Sequence, residues 1–109
     1  MENSQTPEVP YYMALFIIEL SENLDEFEPM SMKMNTLVAQ QEGYLGGEDI
    51  LSTDGRVISM CYWKDLESIK NWRHHLEHQK AIQLGKDQWF KSYKIQIAKV
   101  EYVLGLDFS

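Results

Sequence analysis

The sequence predicts a domain of the α+β class, in which a four-stranded antiparallel sheet is covered by two helices. Two runs of β-branched and aromatic residues have the length and composition of strands that are covered on both faces. Two stretches with apolar residues at helical spacing lie between the predicted strands. A Thr53-Asp54-Gly55 turn signal joins the two middle strands. The resulting order, β-α-β-β-α-β, is typical of the ferredoxin-like fold, with both helices on one face of the sheet.

Length and charge restrict the class of protein. The chain has 109 residues, which fits one domain, and we expect residues 1–10 to be a disordered or extended lead-in to a single domain at 11–109. The formal net charge of −7 disfavours nucleic acid as a partner, because an acidic surface repels phosphates. No apolar run reaches the about 20 residues of a membrane helix, and the N-terminus does not resemble a secretory signal. The single cysteine, Cys61, cannot form an internal disulfide, so we expect a cytoplasmic protein with no membrane partner.

The first strand and the first helix follow the lead-in. Residues 11–18 form an almost continuous apolar run of strand length. We place the main body of the helix at 29–42, because Pro29 is tolerated only in a first turn, and we expect Gly43 to end it. The candidate N-caps are Ser21, Asn23 and Asp25. The apolar stripe of this helix consists of Phe27, Met30, Met34, Leu37 and Val38.

Two strands, predicted at 44–52 and 56–63, form a hairpin around the central turn. A last strand is predicted at 92–103, after a short turn at 88–91. The alternation of apolar residues in this last strand slips at Ile97-Ala98, which indicates either a β-bulge or a change of environment along the strand.

The second helix lies between the hairpin and the last strand. Asp65 is its predicted N-cap, Gly85 its predicted end, and a bend is expected near residues 74–75. Arg73 is expected to form an ion pair with Glu77, four residues later. The stripe of this helix that should face the sheet consists of Leu66, Ile69, Trp72 and Leu76.

The helices can cover only one face of the predicted sheet. The first and third strands are central in this topology, and both are apolar on their two faces. The helix-free face therefore carries more apolar surface than a monomer usually leaves exposed. We expect a second copy of the chain to cover it, sheet against sheet, in a homodimer.

Three segments of the chain form a recognisable pattern. They are Gly43-Tyr44-Leu45-Gly46, Tyr62-Trp63-Lys64-Asp65-Leu66-Glu67-Ser68-Ile69 through Trp72, and His75-Leu76-Glu77-His78-Gln79-Lys80-Ala81 with Gly85, Trp89 and Tyr93. In this order and spacing, residues 11–105 resemble the antibiotic biosynthesis monooxygenase domain family. The resemblance implies a homodimeric α+β barrel with a pocket between the sheet and the helices of each subunit.

Members of that family differ in reaction. Some oxygenate aromatic polyketides without metal or flavin, and others degrade haem or act on quinols. The resemblance implies a cofactor-independent monooxygenase acting on a small aromatic, polyketide-like or quinol-like molecule. The alternatives are a non-catalytic dimeric module that binds haem or another flat apolar ligand, and a purely structural dimer. A cofactor-free reaction needs aromatic walls, a proton acceptor and hydrogen-bond donors for the substrate anion.

Four aromatic residues are candidates for binding the substrate: Trp72, Trp63, Tyr44 and Tyr93. The haem-degrading branch has a pocket tryptophan at the place of Trp72, although a helical aromatic residue also commonly fills the core. That branch further has an asparagine on its first strand and a histidine ten residues after the tryptophan. Here the first strand has no asparagine and Ile82 occupies the second position, which disfavours haem degradation by that mechanism. Alternation separates Cys61 and Trp63 from Tyr62, and the pattern leaves open which face of the strand lines the pocket.

The three histidines of the chain fall within five residues. His74 and His78 have the i,i+4 spacing of metal ligands, but no third ligand has a fixed spacing, so we predict no metal site. His75 and His78 are candidates for the catalytic base, because imidazole titrates near neutral pH. Their structural alternative is helix capping or packing at an interface, and His74 is expected to point outward. We expect Trp72 and at least one of His75 and His78 to line the pocket.

Overall fold

Four antiparallel strands form the sheet of the computed structural model, which describes residues 7–105. The strands are β1 (Tyr11–Leu20), β2 (Tyr44–Leu51), β3 (Arg56–Trp63) and β4 (Phe90–Val100). Their order across the sheet is β2-β3-β1-β4, so the two most apolar strands are central. The predicted α+β class and ferredoxin-like arrangement are confirmed. The first six residues of the predicted lead-in, and residues 106–109, lie outside the described part of the chain.

Three α-helices connect the strands of this sheet. They are α1 (Phe27–Val38), α2 (Leu66–Arg73) and α3 (Leu76–Leu84). Helix α2 begins at its predicted cap, since Asp65 Oδ1 accepts a hydrogen bond from the Ser68 backbone N–H at 2.8 Å. The predicted bend is confirmed as a break between α2 and α3 at residues 74–75. None of the helices within residues 7–105 is long and apolar enough to cross a membrane.

Helix α1 begins two residues earlier than predicted and ends four residues earlier. The residue before it, Glu26, has a left-handed backbone with φ 65°, and no side chain caps the helix. None of the three predicted N-caps therefore holds that position. Pro29 lies in the first turn, where its missing N–H costs no helical hydrogen bond.

Helix α3 ends at Leu84 with Gly85 as its C-cap, as predicted, but the chain does not leave the helical conformation there. Gly85 has φ −60° and ψ −47°, and Gly85–Trp89 form one π-helical turn before β4 begins. A Cβ at position 85 would overlap the ring of Phe90, so glycine is required here for close packing. The Trp89 indole anchors the turn by donating to a backbone carbonyl of the β1–α1 loop at 2.8 Å. The predicted turn at 88–91 is the end of this π turn and the start of β4.

Strand β4 keeps one register through Ile97 and Ala98, so the first of the two alternatives for this position, a bulge, is wrong. Ile97 pairs with Ala14, and Ala98 pairs with Met13. The slip in the sequence pattern arises because Ile97 lies on the face that the helices cover, whereas the small apolar Ala98 lies on the opposite face. The register shift between β1 and β4 occurs instead at the end of β1.

The structure shows which face of β3 packs against the helices. Cys61 and Trp63 lie on that face, here called the inner face. Tyr62 lies on the helix-free face, where its hydroxyl donates to Glu48 at 3.0 Å and its ring meets Tyr11 edge-on. The helix-free face also carries the apolar side chains Met13, Leu15, Ile17, Ile58 and Met60 of the two central strands.

The core between helices and sheet is centred on Trp63, which is 1% exposed. The buried residues that pack with it are Val38, Ile69 and Trp72. The predicted stripe of the second helix is wrong at both ends, because Leu66 and Leu76 are 54% and 64% exposed. Leu66 is the first residue of α2, and the break before Leu76 gives α3 its own direction, so neither residue continues the buried stripe.

Candidate functional site

A cavity of about 180 Å³ lies between the inner face of the sheet and the helices. Its wall is mainly apolar and includes the large side chains Phe16, Phe27, Met34, Trp63, Trp72 and Phe90. A space of this size can hold an aromatic ring. Ile95 and Ile97 belong to the wall and are 44% and 41% exposed, so the cavity is open along β4. Its shape and lining suit a flat apolar molecule.

His78 stands in this wall, stacked on the indole of Trp72. The ring centroids are 4.4 Å apart and the planes differ by 14°. His78 Nδ1 lies 3.2 Å from the Trp72 carbonyl oxygen. A carbonyl oxygen only accepts hydrogen bonds, so Nδ1 carries the proton and Nε2 keeps its lone pair. Burial lowers the pKa of His78; the hydrogen bond with the Trp72 carbonyl partly opposes this shift, and nearby His75 adds to it. The imidazole is therefore neutral at neutral pH.

His75 has a different position and a different bonding partner. It is the N-cap of α3, and its Nδ1 accepts a hydrogen bond from the Glu77 backbone N–H at 3.2 Å. The lone pair that a general base would use is therefore engaged in the helix cap. The His75 ring lies 5.3 Å from the Trp72 ring but does not line the cavity. His74 is exposed, as predicted.

Of the four aromatic candidates from the sequence, Trp72 and Trp63 line the cavity, whereas Tyr44 and Tyr93 do not. Tyr44 meets Trp63 edge-on, with ring centroids 5.4 Å apart, and lines an adjoining pocket. Tyr93 packs against Phe16 and Phe90 at 5.6 and 5.8 Å. The cavity thus brings together the two tryptophans and His78, and the two tyrosines support its wall.

Arg73 also lines the cavity, and the ion pair predicted for it is not formed. Glu77 instead accepts from Lys33 of α1 at 2.8 Å and lies 3.5 Å from Lys80. The i,i+4 geometry fails because the break at residues 74–75 places Arg73 and Glu77 on different helices. Arg73 therefore lines the cavity without an ion pair to Glu77.

Cys61 and Asp49 add polar groups to the cavity wall. Burial and the Asp49 carboxylate raise the pKa of the Cys61 thiol to about 11. Burial, Cys61 and Asp49 together raise the pKa of Tyr44. Both groups are therefore protonated at neutral pH, and Cys61 is a poor nucleophile in this environment.

The histidines do not form a metal site with other described residues. Within residues 7–105, no three His, Cys, Asp or Glu side chains approach one another closely enough to hold an ion. His74 is the C-cap of α2, whereas His78 lies inside α3. The break between these helices means that their i,i+4 spacing does not place them on one helical face.

Among the cavity residues that sequence analysis did not single out are Phe16, Asp49 and Phe90. Phe16 and Ile18 are two residues apart on β1 and therefore lie on the same face of the sheet. Phe16 could have been predicted as a cavity residue once one residue of that face was known. Asp49 is an acidic residue on a strand, opposite Ser59 on the inner face. Phe90 had no signal, because its place depends on the π turn and on the missing side chain of Gly85.

Comparison with known proteins adds a family assignment. The family model described as monooxygenase af470-like matches residues 13–104. The uncharacterized protein YqjZ of Bacillus subtilis is 42% identical over 98 residues, which cover 90% of this chain and 86% of that protein.

Solved structures show the same fold at low sequence identity. A Nitrosomonas europaea protein assigned to the antibiotic biosynthesis monooxygenases aligns with a TM-score of 0.76 and 12% identity, over 92% of this chain and 99% of that one. SnoaB, a cofactor-independent oxygenase from Streptomyces nogalater, aligns with a TM-score of 0.75 and 10% identity, over 88% and 98% of the two chains. At such identities the likeness concerns the fold, and reaction and substrate have to be argued from the site.

Proposed function

The chain belongs to the monooxygenase af470-like family, and on that premise we propose that it is a cofactor-independent monooxygenase acting on a small aromatic, polyketide-like or quinol-like substrate. The observation that carries this proposal is His78, a neutral imidazole stacked on Trp72 in the wall of an aromatic cavity. An aromatic ring held against the tryptophans places its acidic hydroxyl within reach of such a base. The fold of SnoaB, which carries out oxygenation without a cofactor, supports this assignment.

Each group at the cavity has a part in the proposed reaction. His78 accepts the proton of a phenol or enol at Nε2, and the Arg73 guanidinium stabilises the resulting anion. The electron-rich anion reduces O₂ and forms a carbon–oxygen bond to it. The oxygen–oxygen bond then breaks, so that one oxygen atom remains in the product as a carbonyl. The other oxygen leaves as water with two hydrogen atoms of the substrate, and the protein itself is neither oxidised nor reduced.

An oxygen electrode tests the proposed reaction. Chelator-treated wild-type protein is expected to consume one O₂ for each molecule of an added anthrone. Binding of the anthrone with no oxygen consumption above that of a protein-free solution would contradict the proposal. That result would favour the non-catalytic module instead, which addition of hemin and inspection for a Soret band would then examine.

The helix-free face predicts a homodimer, with the apolar residues of the two central strands buried between two sheets. Light scattering at micromolar concentration should give about twice the chain mass of 12.8 kDa. Leu15→Glu, at the middle of β1 on that face, should shift the protein to the monomer, because it would bury a carboxylate without a partner. Met32→Glu, at a 64% exposed position of α1, is the matched control and should remain dimeric. A monomeric wild-type protein would refute the dimer.

A further inference from the structure

A second, polar pocket of about 230 Å³ adjoins the aromatic cavity between α1, β2 and β3. The two spaces share five wall residues: Asn35, Val38, Asp49, Ser59 and Cys61. A molecule in the aromatic cavity can therefore extend a substituent into the second space, here called the side pocket. The aromatic cavity supplies mainly apolar contacts, whereas the polar residues that line the side pocket are Asn35, Tyr44, Glu48, Asp49 and Ser59.

The charged groups divide unevenly between the two spaces. Asp49 is opposite Ser59 in the β2–β3 register, which places it on the inner face. Among the described residues it forms no ion pair, and no Lys, Arg or His lines the side pocket. Arg73 and His78 line only the aromatic cavity. The side pocket therefore carries a negative potential, and the raised pKa of Tyr44 and of Cys61 agrees with that sign.

Gly47 keeps room for the hydroxyl of Tyr44 at the edge of the side pocket. A Cβ at position 47 would lie 2.8 Å from Tyr44 Oη and 2.6 Å from the Met60 carbonyl oxygen. Any side chain at this position would move the tyrosine or the strand. Burial, with smaller contributions from Cys61 and Asp49, raises the pKa of Tyr44, so the phenol is neutral at neutral pH.

From this arrangement we infer that the side pocket is a specificity subsite, in which Asp49 accepts hydrogen bonds from a hydroxyl or a protonated amine on a flat aromatic ligand and repels a carboxylate. The inference rests on the proposed function, because it takes the aromatic cavity as the place of the ring. Asp49 acts here as a binding residue, distant from the proton transfer assigned to His78. A ligand with a donor substituent would place that group at β2 and its ring between the tryptophans.

Calorimetric titration with three naphthalenes tests the inference: 2-naphthylmethanol, 2-naphthylmethylammonium and 2-naphthoate. The wild-type protein should bind the alcohol and the ammonium more tightly than the carboxylate. Asp49→Asn, which removes the charge but keeps the size, should weaken ammonium binding about tenfold, because it removes a direct charge interaction. The matched control is Glu67→Gln, which removes the same charge at an exposed position in the first turn of α2 that lines neither space. This control should change ammonium binding less than about threefold.

Each result of these titrations supports or overturns the subsite or the proposed function. Equal effects of Asp49→Asn and Glu67→Gln on the ammonium would overturn the subsite, because the charge would then act only at long range. An unchanged affinity in both variants would overturn it as well. If none of the three naphthalenes bound the wild-type protein, the aromatic cavity would not be a ligand site. The proposed function and the subsite would then both be refuted. If the specific effect of Asp49 were found and an anthrone consumed no oxygen, the subsite would stand and the oxygenase would be refuted.

Discussion

Replacing His78 with glutamine is expected to lower the kcat/KM of oxygen uptake by about 100-fold or more, the usual contribution of a positioned general base. Glutamine can still donate a hydrogen bond to the Trp72 carbonyl oxygen, but it cannot accept a proton from the substrate. The matched control is His75→Asn, because asparagine is a favoured N-cap and should preserve the start of α3. The control should retain most of the activity.

The pH dependence of the same reaction is a second test of whether His78 is the general base. Its pKa is lowered by burial from an ordinary value of 6.5, so the base is neutral at pH 7 and becomes protonated only in more acidic solution. Wild-type kcat/KM should therefore fall on the acid side with a midpoint below 6.5, and this acid limb should be absent from His78→Gln. An active His78→Gln variant with an unchanged acid limb would show that His78 is not the base. Equal losses in His78→Gln and His75→Asn would show that both histidines are structural.

Trp63→Ala is expected to reduce the free energy of unfolding by about 3–5 kcal/mol, the cost of deleting a large aromatic side chain from a core. Trp63 is 1% exposed and contacts the ring of Tyr44, so its removal leaves a void that backbone movement cannot close. Because small domains are stable by only about 5–15 kcal/mol, much of the variant should be unfolded or easily unfolded at 37 °C.

Urea denaturation at one fixed protein concentration measures this loss, since a dimer would make stability depend on concentration. The matched control is Leu76→Ala, which truncates an apolar side chain that is 64% exposed. It should change the free energy of unfolding by about 0.5 kcal/mol or less. A loss below about 1 kcal/mol in Trp63→Ala would mean that this tryptophan does not organise the core.

The order of strands and helices could be predicted because it depends on local patterns. The strands predicted from apolar runs and the Asp65 N-cap are present in the structure. The two strands that are apolar on both faces are the central ones, as their composition predicts. Gly85 ends α3 as predicted, but its close packing against a ring could not be predicted, because a glycine that ends a helix and a glycine that admits a neighbouring ring look alike in sequence. Only the position of Phe90, five residues later, distinguishes the two cases.

The candidate site was predictable in its residue types and less so in its geometry. The histidine pair and Trp72 stood out as chemically suited residues, but the division between His75 as helix cap and His78 in the cavity wall depends on where the helix breaks. The same break separates Arg73, which lines the cavity, from Glu77. One change of helix direction, which a periodic pattern does not locate to the residue, therefore determines several of the site's contacts.

Product analysis under ¹⁸O₂ tests the monooxygenase assignment most directly. Chelator-treated wild-type protein would convert an anthrone under labelled oxygen, and mass spectrometry would follow the label. The account predicts that the quinone product carries one ¹⁸O atom in its new carbonyl group and that no hydrogen peroxide accumulates. A product without ¹⁸O, or stoichiometric hydrogen peroxide, would contradict it, because oxygen would then have served only as an electron acceptor.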